Sequence, residues 1–449
     1  MTSRPLQPRP LSAKLARRAR RARRRAWIAL RPLRRASARS QPGSPSQLHL
    51  SWQEDPRTTL TVTWTTPAGA GPACVEFGPL GTSERRRVAA TSTPSPGSHG
   101  TLHRATLTGL EPGTAIAYRV SADAGAPRAF GAWHTSRTAP ASADASVRAA
   151  FVSDVGLAGR ADGTTRAQPA VLQALAEADA HVVLGGGDYA YADNDARYRD
   201  HADAIDRWWD ELEPVFARTP FMAQYGNHDV ELGERYEDWA PRLAHPAGSP
   251  GGRSYSFDLG AAHFVALHAP GRAPGEDDVA WLERDLASEQ ARAASWRVVY
   301  QHAPPFAAGR CHPARPDVTR LTALFERLGV DLHLSAHDQS YERTHALRGG
   351  IATPPKSSDG RVHRYAAGDG PIYAKISPAG KLSERGLGFS TFAADAPPVV
   401  AARDDAHHHW GVLDIDRDVL RLRVEAISSD GERRPPIEEI ALEAARGPA

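Results

Sequence analysis

The chain has 449 residues, long enough for two or three domains that each bury a core, and its 41% hydrophobic and 24% charged residues exclude a fibrous or wholly disordered protein. Its formal net charge of +3 hides a division: residues 1–40 carry thirteen arginines and Lys14 with no acid, whereas the remainder carries 41 basic against 52 acidic residues. The two cysteines, Cys74 and Cys311, are far apart in sequence and fall in different segments, which excludes a disulfide framework.

Residues 1–44 read as a basic, solvated arm. Within it, Leu11 to Leu30 has the pattern of a basic amphipathic helix, so contact with nucleic acid or with an anionic membrane surface is the alternative expectation. Ala26-Trp27-Ile28-Ala29-Leu30 is too short for the apolar core of an export signal and runs into Arg31, which leaves the compartment open. No stretch elsewhere is long and apolar enough to make a transmembrane helix.

After the Pro- and Gly-containing stretch 41–45, alternation begins. Leu48, Leu50 and Trp52, then Leu60, Val62 and Trp64, occupy every second position, the mark of half-buried strands. Val75 to Phe77, Arg104 to Leu107 and Ile116 to Val120 continue the series between turns such as Gly109-Leu110-Glu111-Pro112-Gly113. Short strands at this spacing predict an all-β sandwich over residues 45–138, and the segment resembles a fibronectin type III domain.

Beyond the linker at 136–142 the rhythm changes, and residues 146–445 read as an α/β domain. Strands are predicted at Ala149 to Val152, His181 to Leu184, Phe221 to Tyr225, Phe264 to Leu267, Arg297 to Tyr300 and Leu332 to Ser335. Helical spacing falls at Pro169 to Ala178, Ile205 to Phe216, Val279 to Ala287 and Leu321 to Leu328. Val362 to Tyr365, Gly411 to Ile415 and Leu420 to Val424 are further strands.

Polar clusters sit just past the carboxyl ends of these strands, where open α/β sheets place their ligands. In order they are Ser153-Asp154-Val155-Gly156, Gly187-Asp188-Tyr189-Ala190-Tyr191, Gly226-Asn227-His228-Asp229, Gln301-His302 and His337-Asp338-Gln339-Ser340-Tyr341-Glu342-Arg343. Carboxylates that offset the repulsion of two adjacent cations, with imidazoles that fix geometry, are the ligands a binuclear metal centre needs. Glycines 187 and 226 let the backbone turn sharply and come close to that centre.

The five blocks in this order resemble the signature of the purple acid phosphatases, within the calcineurin-like metallophosphoesterases, over residues 150–345. The resemblance implies a metallophosphoesterase domain whose central two-sheet β-sandwich is flanked by helices. It implies two metal ions, iron with zinc, manganese or a second iron, bridged by Asp188. Asp154 and Tyr191 would lie on one side, with Asn227, His302 and His337 on the other. Tyr191 would be the phenolate that stabilises ferric iron. The family pattern has a histidine where this chain has Gln339, a weaker neutral donor, and Asp338, His333 and His345 are candidates to compensate. By the same resemblance His228 faces the substrate phosphate, while Tyr341, Glu342 and Arg343 support the loop, with a Glu342–Arg343 ion pair expected. His312, in a loop with Gly309, Arg310 and Cys311, is a candidate second phosphate-facing residue, with a solvent-exposed histidine as the alternative. His407, His408 and His409 read as a polar turn, with metal binding as the alternative.

The expected activity is hydrolysis of a phosphate-ester substrate of the acid phosphatase type, by attack of a metal-bound hydroxide on a phosphomonoester. A phosphodiesterase or nucleotide hydrolase of the same fold, and a non-catalytic phosphate- or partner-binding descendant, are the alternatives.

Overall fold

The computed structural model describes residues 44–444 apart from 69–70, 97–99, 124–129, 160–165, 196, 199, 383–387 and 394. The Arg-rich arm, its helix and its proposed nucleic-acid or membrane contacts therefore lie outside the described residues. Among those described, no helix is long and apolar enough to cross a membrane.

Two four-stranded antiparallel sheets form the N-terminal sandwich. One orders Ser46–Ser51, Leu60–Pro67, Gly100–Leu107 and Thr91–Pro94; the other orders Arg86–Ala89, Cys74–Pro79, Ala115–Val120 and His134–Arg137. The alternation seen in sequence is the packing: Leu48, Leu50, Val62, Trp64, Val75 and Tyr118 are buried between the sheets. Cys74 and Cys311 are free thiols.

The second unit is built on an eight-stranded and a seven-stranded sheet stacked face to face. In the first, Phe221–Ala223, Val182–Gly185 and Val147–Val152 run parallel and are continued by the antiparallel His408–Ile415, Val419–Ile427 and Arg433–Glu443. In the second, Ala262–Ala266, Trp296–Tyr300, Leu332–Ser335 and Ile372–Lys375 run parallel. Tyr255–Leu259 and Ile372–Lys375 are strands that the sequence pattern did not reveal.

The unbroken apolar runs have a structural cause, since both faces of these strands are buried. Ala149 and Phe151 join the core between the sheets, while Ala150 and Val152 meet the helices Ala167–Glu177 and His201–Phe216 outside. Phe264, Val298 and Tyr300 likewise point inward. Val265 and Val299 pack under the helices Glu276–Leu286 and Thr322–Arg327. His201–Phe216 begins where the Asp200 side chain accepts the Asp203 amide, and it buries Ile205, Trp208, Trp209 and Leu212 along one stripe.

That helix also docks the sandwich. His49 stacks on Trp209 at 4.0 Å between ring centroids, its Nε2 meets the Arg242 carbonyl at 2.7 Å, and the Tyr118 hydroxyl donates to the Ala217 carbonyl at 2.5 Å. Each contact reaches the segments before or after Phe221–Ala223, the edge strand of the eight-stranded sheet, so the sandwich braces the elements that flank that strand.

One strand in from the seven-stranded sheet's edge, buried His263 donates from Nδ1 to Asp258 (2.7 Å) and from Nε2 to Asp285 (3.0 Å). Burial alone would lower its pKa, but the two carboxylates raise it to about 9. A raised folded-state pKa gives stability that is complete below the ordinary 6.5 and lost as pH rises through about 9. Because Asp258 is 53% exposed, the contribution is about 1–3 kcal/mol rather than the full linkage value. His263→Gln is expected to lower the melting temperature clearly near pH 6 and far less near pH 10; equal losses at both would contradict the ion-pair account.

Candidate metal centre

Five chain segments leave the parallel strands at one end of the two sheets and meet there. Asp154 follows Val147–Val152, Asp188 follows Val182–Gly185, Asn227 opens the short helix Asn227–Val230 after Phe221–Ala223, His302 follows Trp296–Tyr300, and His337 follows Leu332–Ser335. Four of the six non-glycine residues with positive φ among the described residues belong to this group: Asp154 (50°), Asp188 (57°), Tyr191 (53°) and His337 (75°). Left-handed backbone costs an L-residue roughly 1–2 kcal/mol, so its concentration here marks a site held by its surroundings. Gly187, itself at φ 91°, packs so closely that a Cβ would lie 2.4 Å from the Gly226 amide nitrogen.

Asp188 is 1% exposed. Its Oδ2 lies 3.2 Å from His302 Nε2, and its Oδ1 accepts the His228 amide at 2.8 Å. Burial would raise this carboxyl, yet the His302 and His228 imidazoles hold it below the usual carboxylate range. The amides of Asp188, Tyr189 and Gly226 all donate to the Asp229 carboxylate, at 2.8, 3.0 and 2.7 Å. Burial, then the charge of Asp188, pushes Asp229 up to about 7.

His302 donates from Nδ1 to the Gly186 carbonyl at 2.7 Å, which turns Nε2 toward the centre. There His337 Nδ1 stands 3.2 Å away. The ligand atoms of Asp188, His302 and His337 lie within 4.8 Å of one another. Asn227 Oδ1 and Gln339 Oε1 are buried without a hydrogen-bond partner. Ring nitrogens facing one another beside a carboxylate and orphaned amide carbonyls are a donor set that fits metal ions.

Asp154 is fully buried. Its Oδ1 accepts the Tyr191 hydroxyl at 2.5 Å and the Gln339 amide at 3.2 Å, and its Oδ2 accepts Ser377 Oγ at 2.8 Å and the His337 amide at 3.2 Å. The Lys381 amide donates to the Asp154 carbonyl at 2.9 Å, and its buried ammonium lies 5.2 Å from the Tyr191 ring centroid.

The two remaining histidines of the expected site stand at its margin. The His228 ring packs at a tilt against Tyr191, with centroids 4.3 Å apart, and its Nδ1 donates to Asp193 at 2.8 Å. The His312 ring lies 4.6 Å from that of His337, and its amide is fixed on Asp338 Oδ1 at 3.0 Å.

Several expectations are corrected. Glu342 and Arg343 do not pair, because successive residues of the strand Tyr341–Thr344 point to opposite faces. Glu342 instead accepts the Ala308 amide at 2.9 Å, while Arg343 forms a buried bidentate pair with Glu438 at 2.8 and 2.6 Å, to which Tyr341 also donates. None of the residues offered as compensation for Gln339 faces the centre. Asp338 binds Lys375 Nζ at 2.6 Å, His333 packs between Phe325 and Tyr373, and His345 turns to Tyr365. In the 407–409 run, His407 closes the turn on Asp404, and the strand His408–Ile415 begins before the run ends. His409 bridges Asp404 (3.0 Å) and the carbonyl of Ser377 (2.9 Å).

Sequence reasoning assigned no role to Asp193 and Asp229, although both lie inside or beside the quoted blocks as unexplained carboxylates. Ser377 and Lys381 come from a distant segment with no local signal.

Two family models match the chain: the purple acid phosphatase N-terminal domain at residues 45–138 and the calcineurin-like phosphoesterase at residues 147–341. Acid phosphatase type 7 of Mus musculus is 30% identical over 363 residues, covering 71% of this chain and 76% of that protein. The Homo sapiens protein of the same name is 32% identical over 330 residues, covering 67% and 70%. The solved structure of purple acid phosphatase PPD1 from yellow lupin (Lupinus luteus) seeds matches with a TM-score of 0.73 at 18% identity, over 90% of this chain and 75% of that one, a likeness of fold.

Gly226 has φ −96° and ψ 175°, which alanine adopts freely, but its Cβ would fall 2.1 Å from Asp188 Oδ1 and 2.4 Å from the Asp188 amide nitrogen, so the turn as well as the carboxylate must move. Gly226→Ala is therefore expected to displace the Asp188 carboxylate and empty the centre of metal while the circular dichroism spectrum stays native. Full metal content by atomic emission would contradict this geometry.

Proposed function

The chain belongs to the purple acid phosphatases of the calcineurin-like phosphoesterases, and from that premise we propose how its own residues carry out metal-dependent hydrolysis of a phosphomonoester. In this reading residues 45–138 form the supporting sandwich and residues 146–445 the catalytic unit. Asp188, Asn227, His302 and His337 would hold one metal ion, and Asp154, Tyr191 and Gln339, with Asp188 shared, would hold the other. The observation that carries it is the convergence of Asp188, His302 and His337 ligand atoms within 4.8 Å. Zinc, iron and manganese all suit the side with two imidazoles.

When bound, the ions screen the phosphoryl oxygens and make water acidic enough to act as nucleophile near neutral pH. The protein's own contribution is positioning and proton transfer. Asp193 accepts from His228 Nδ1 at 2.8 Å, which fixes the tautomer and the ring plane and directs Nε2 to the reaction. Protonated at Nε2, His228 hands that proton to the ester oxygen as its bond to phosphorus breaks, so the alcohol leaves neutral. His312, held over the centre by Asp338, offers a second ring to the phosphoryl oxygens. Asp229, by gathering three amides, fixes the turns that present Asp188 and Asn227.

Hydrolysis of a chromogenic phosphomonoester across pH, with defined metals added back, tests this reading. Activity is expected to require metal and to vanish in Asp188→Ala. His228→Ala should retain metal and lose roughly 10²–10⁴ in kcat. Asp193→Asn should keep KM and shift the pH profile of kcat. A folded wild type that hydrolyses nothing with iron, zinc or manganese would overturn it.

A further inference from the structure

Resting on the two-metal reading above, we propose that the centre is chemically unequal: the Asn227, His302 and His337 side holds its cation tightly, whereas the Asp154, Tyr191 and Gln339 side takes an exchangeable hard divalent cation and forms no iron–tyrosinate bond.

The donor atoms differ in kind. One side offers two imidazole nitrogens, the Asn227 carbonyl and Asp188, a set suited to zinc or iron. The other offers oxygen alone: the Asp154 and Asp188 carboxylates, the Tyr191 hydroxyl and the Gln339 carbonyl. Oxygen sets select hard ions such as magnesium, calcium and manganese, which are held less firmly than a zinc ion on imidazoles.

Three features weaken that side further: committed donors on Tyr191 and Gln339, an occupied Asp154 Oδ2, and a nearby positive charge. The Tyr191 hydroxyl is committed as a donor to Asp154 at 2.5 Å, and the Gln339 amide holds both Asp154 Oδ1 (3.2 Å) and the His337 carbonyl (3.1 Å). Asp154 Oδ2 is occupied by Ser377 Oγ at 2.8 Å and the His337 amide at 3.2 Å. A cation entering here must displace or share these bonds. The third feature is electrostatic. Lys381 is 1% exposed, its Nζ donates to the Leu382 carbonyl at 2.5 Å, and it stands 5.2 Å from the Tyr191 ring centroid. A fixed ammonium at that place repels a trivalent ion more than a divalent one. The imidazole side has no such neighbour in its described contacts: His302 leans on the Gly186 carbonyl and Asp188, and His337 on His302 and His312.

Full-length protein stripped with a chelator and reloaded with zinc should keep one equivalent through desalting, measured by atomic emission. Manganese added to this form, followed by its free-ion electron paramagnetic resonance signal, should bind as one further equivalent, about tenfold or more weaker, and be lost on desalting. Ferric reloading should give no visible tyrosinate absorption. Gln339→His should retain two equivalents and gain that absorption with iron, and Lys381→Met should tighten the manganese equivalent. Should Gln339→His fold poorly, Gln339→Glu, which adds an anionic oxygen, should tighten manganese without producing the band. A wild type that retains two equivalents through desalting, or absorbs as an iron–tyrosinate, overturns the inequality while leaving the two-metal reading intact. A folded wild type that binds no metal overturns both.

Discussion

Three carboxylates, Asp154, Asp188 and Asp229, are buried side by side with no more than 1% of their surface exposed, and the surrounding structure answers that one constraint. An uncompensated buried charge costs several kcal/mol, far more than a surface turn could absorb. Each carboxylate is therefore answered in its own way. Asp229 collects three backbone amides, Asp154 two hydroxyls with an amide side chain and a backbone amide, and Asp188 the His302 ring and one amide. These donors orient the anions without neutralising them all. Cations held at the centre would complete the balance and tie metal binding to the integrity of the strand ends.

Presenting those groups requires backbone that loops do not adopt unaided. The positive φ of Asp154, Asp188, Tyr191 and His337 survives because each turn departs from a strand buried on both faces. Close-packed sheets are poorly compressible, so the strained turns cannot relax by shifting their roots. Gly187 and Gly226 then allow two such turns to touch, at distances a Cβ would forbid.

The parts legible in the sequence were those with local signals. Period-two alternation exposed the sandwich, unbroken apolar runs exposed the doubly buried strands, and the polar blocks behind them pointed to Asp188, His302 and His337, whose ligand atoms lie together. Interactions between distant segments left no such trace. Ser377 reaches Asp154 across 223 residues, and Arg343 finds Glu438 across 95. Adjacent opposite charges at Glu342 and Arg343 suggested a pair, but strand geometry separates neighbours and lets each seek a partner on its own face. Gln339 was visible as a departure; that Lys381 lies beside the same tyrosine was not, since it belongs to a segment without strand or helix periodicity.

The block holding Gln339 also shows how one buried ion pair can connect both margins of the centre. Lys375 and Asp338, each at most 1% exposed, meet at 2.6 Å, and Asp338 additionally takes the His312 amide, Ser390 Oγ and Ser340 Oγ. Gly309 lies so near that its Cβ would overlap the Asp338 carboxylate at 2.0 Å. A pair of this kind adds little net stability over an apolar alternative, yet breaking it leaves a bare charge at a cost of about 3–5 kcal/mol. Its effect is thus directional. It locks the loop carrying His312 to the turn carrying His337 and Gln339, so the His312 ring and the Gln339 side chain keep one relative position.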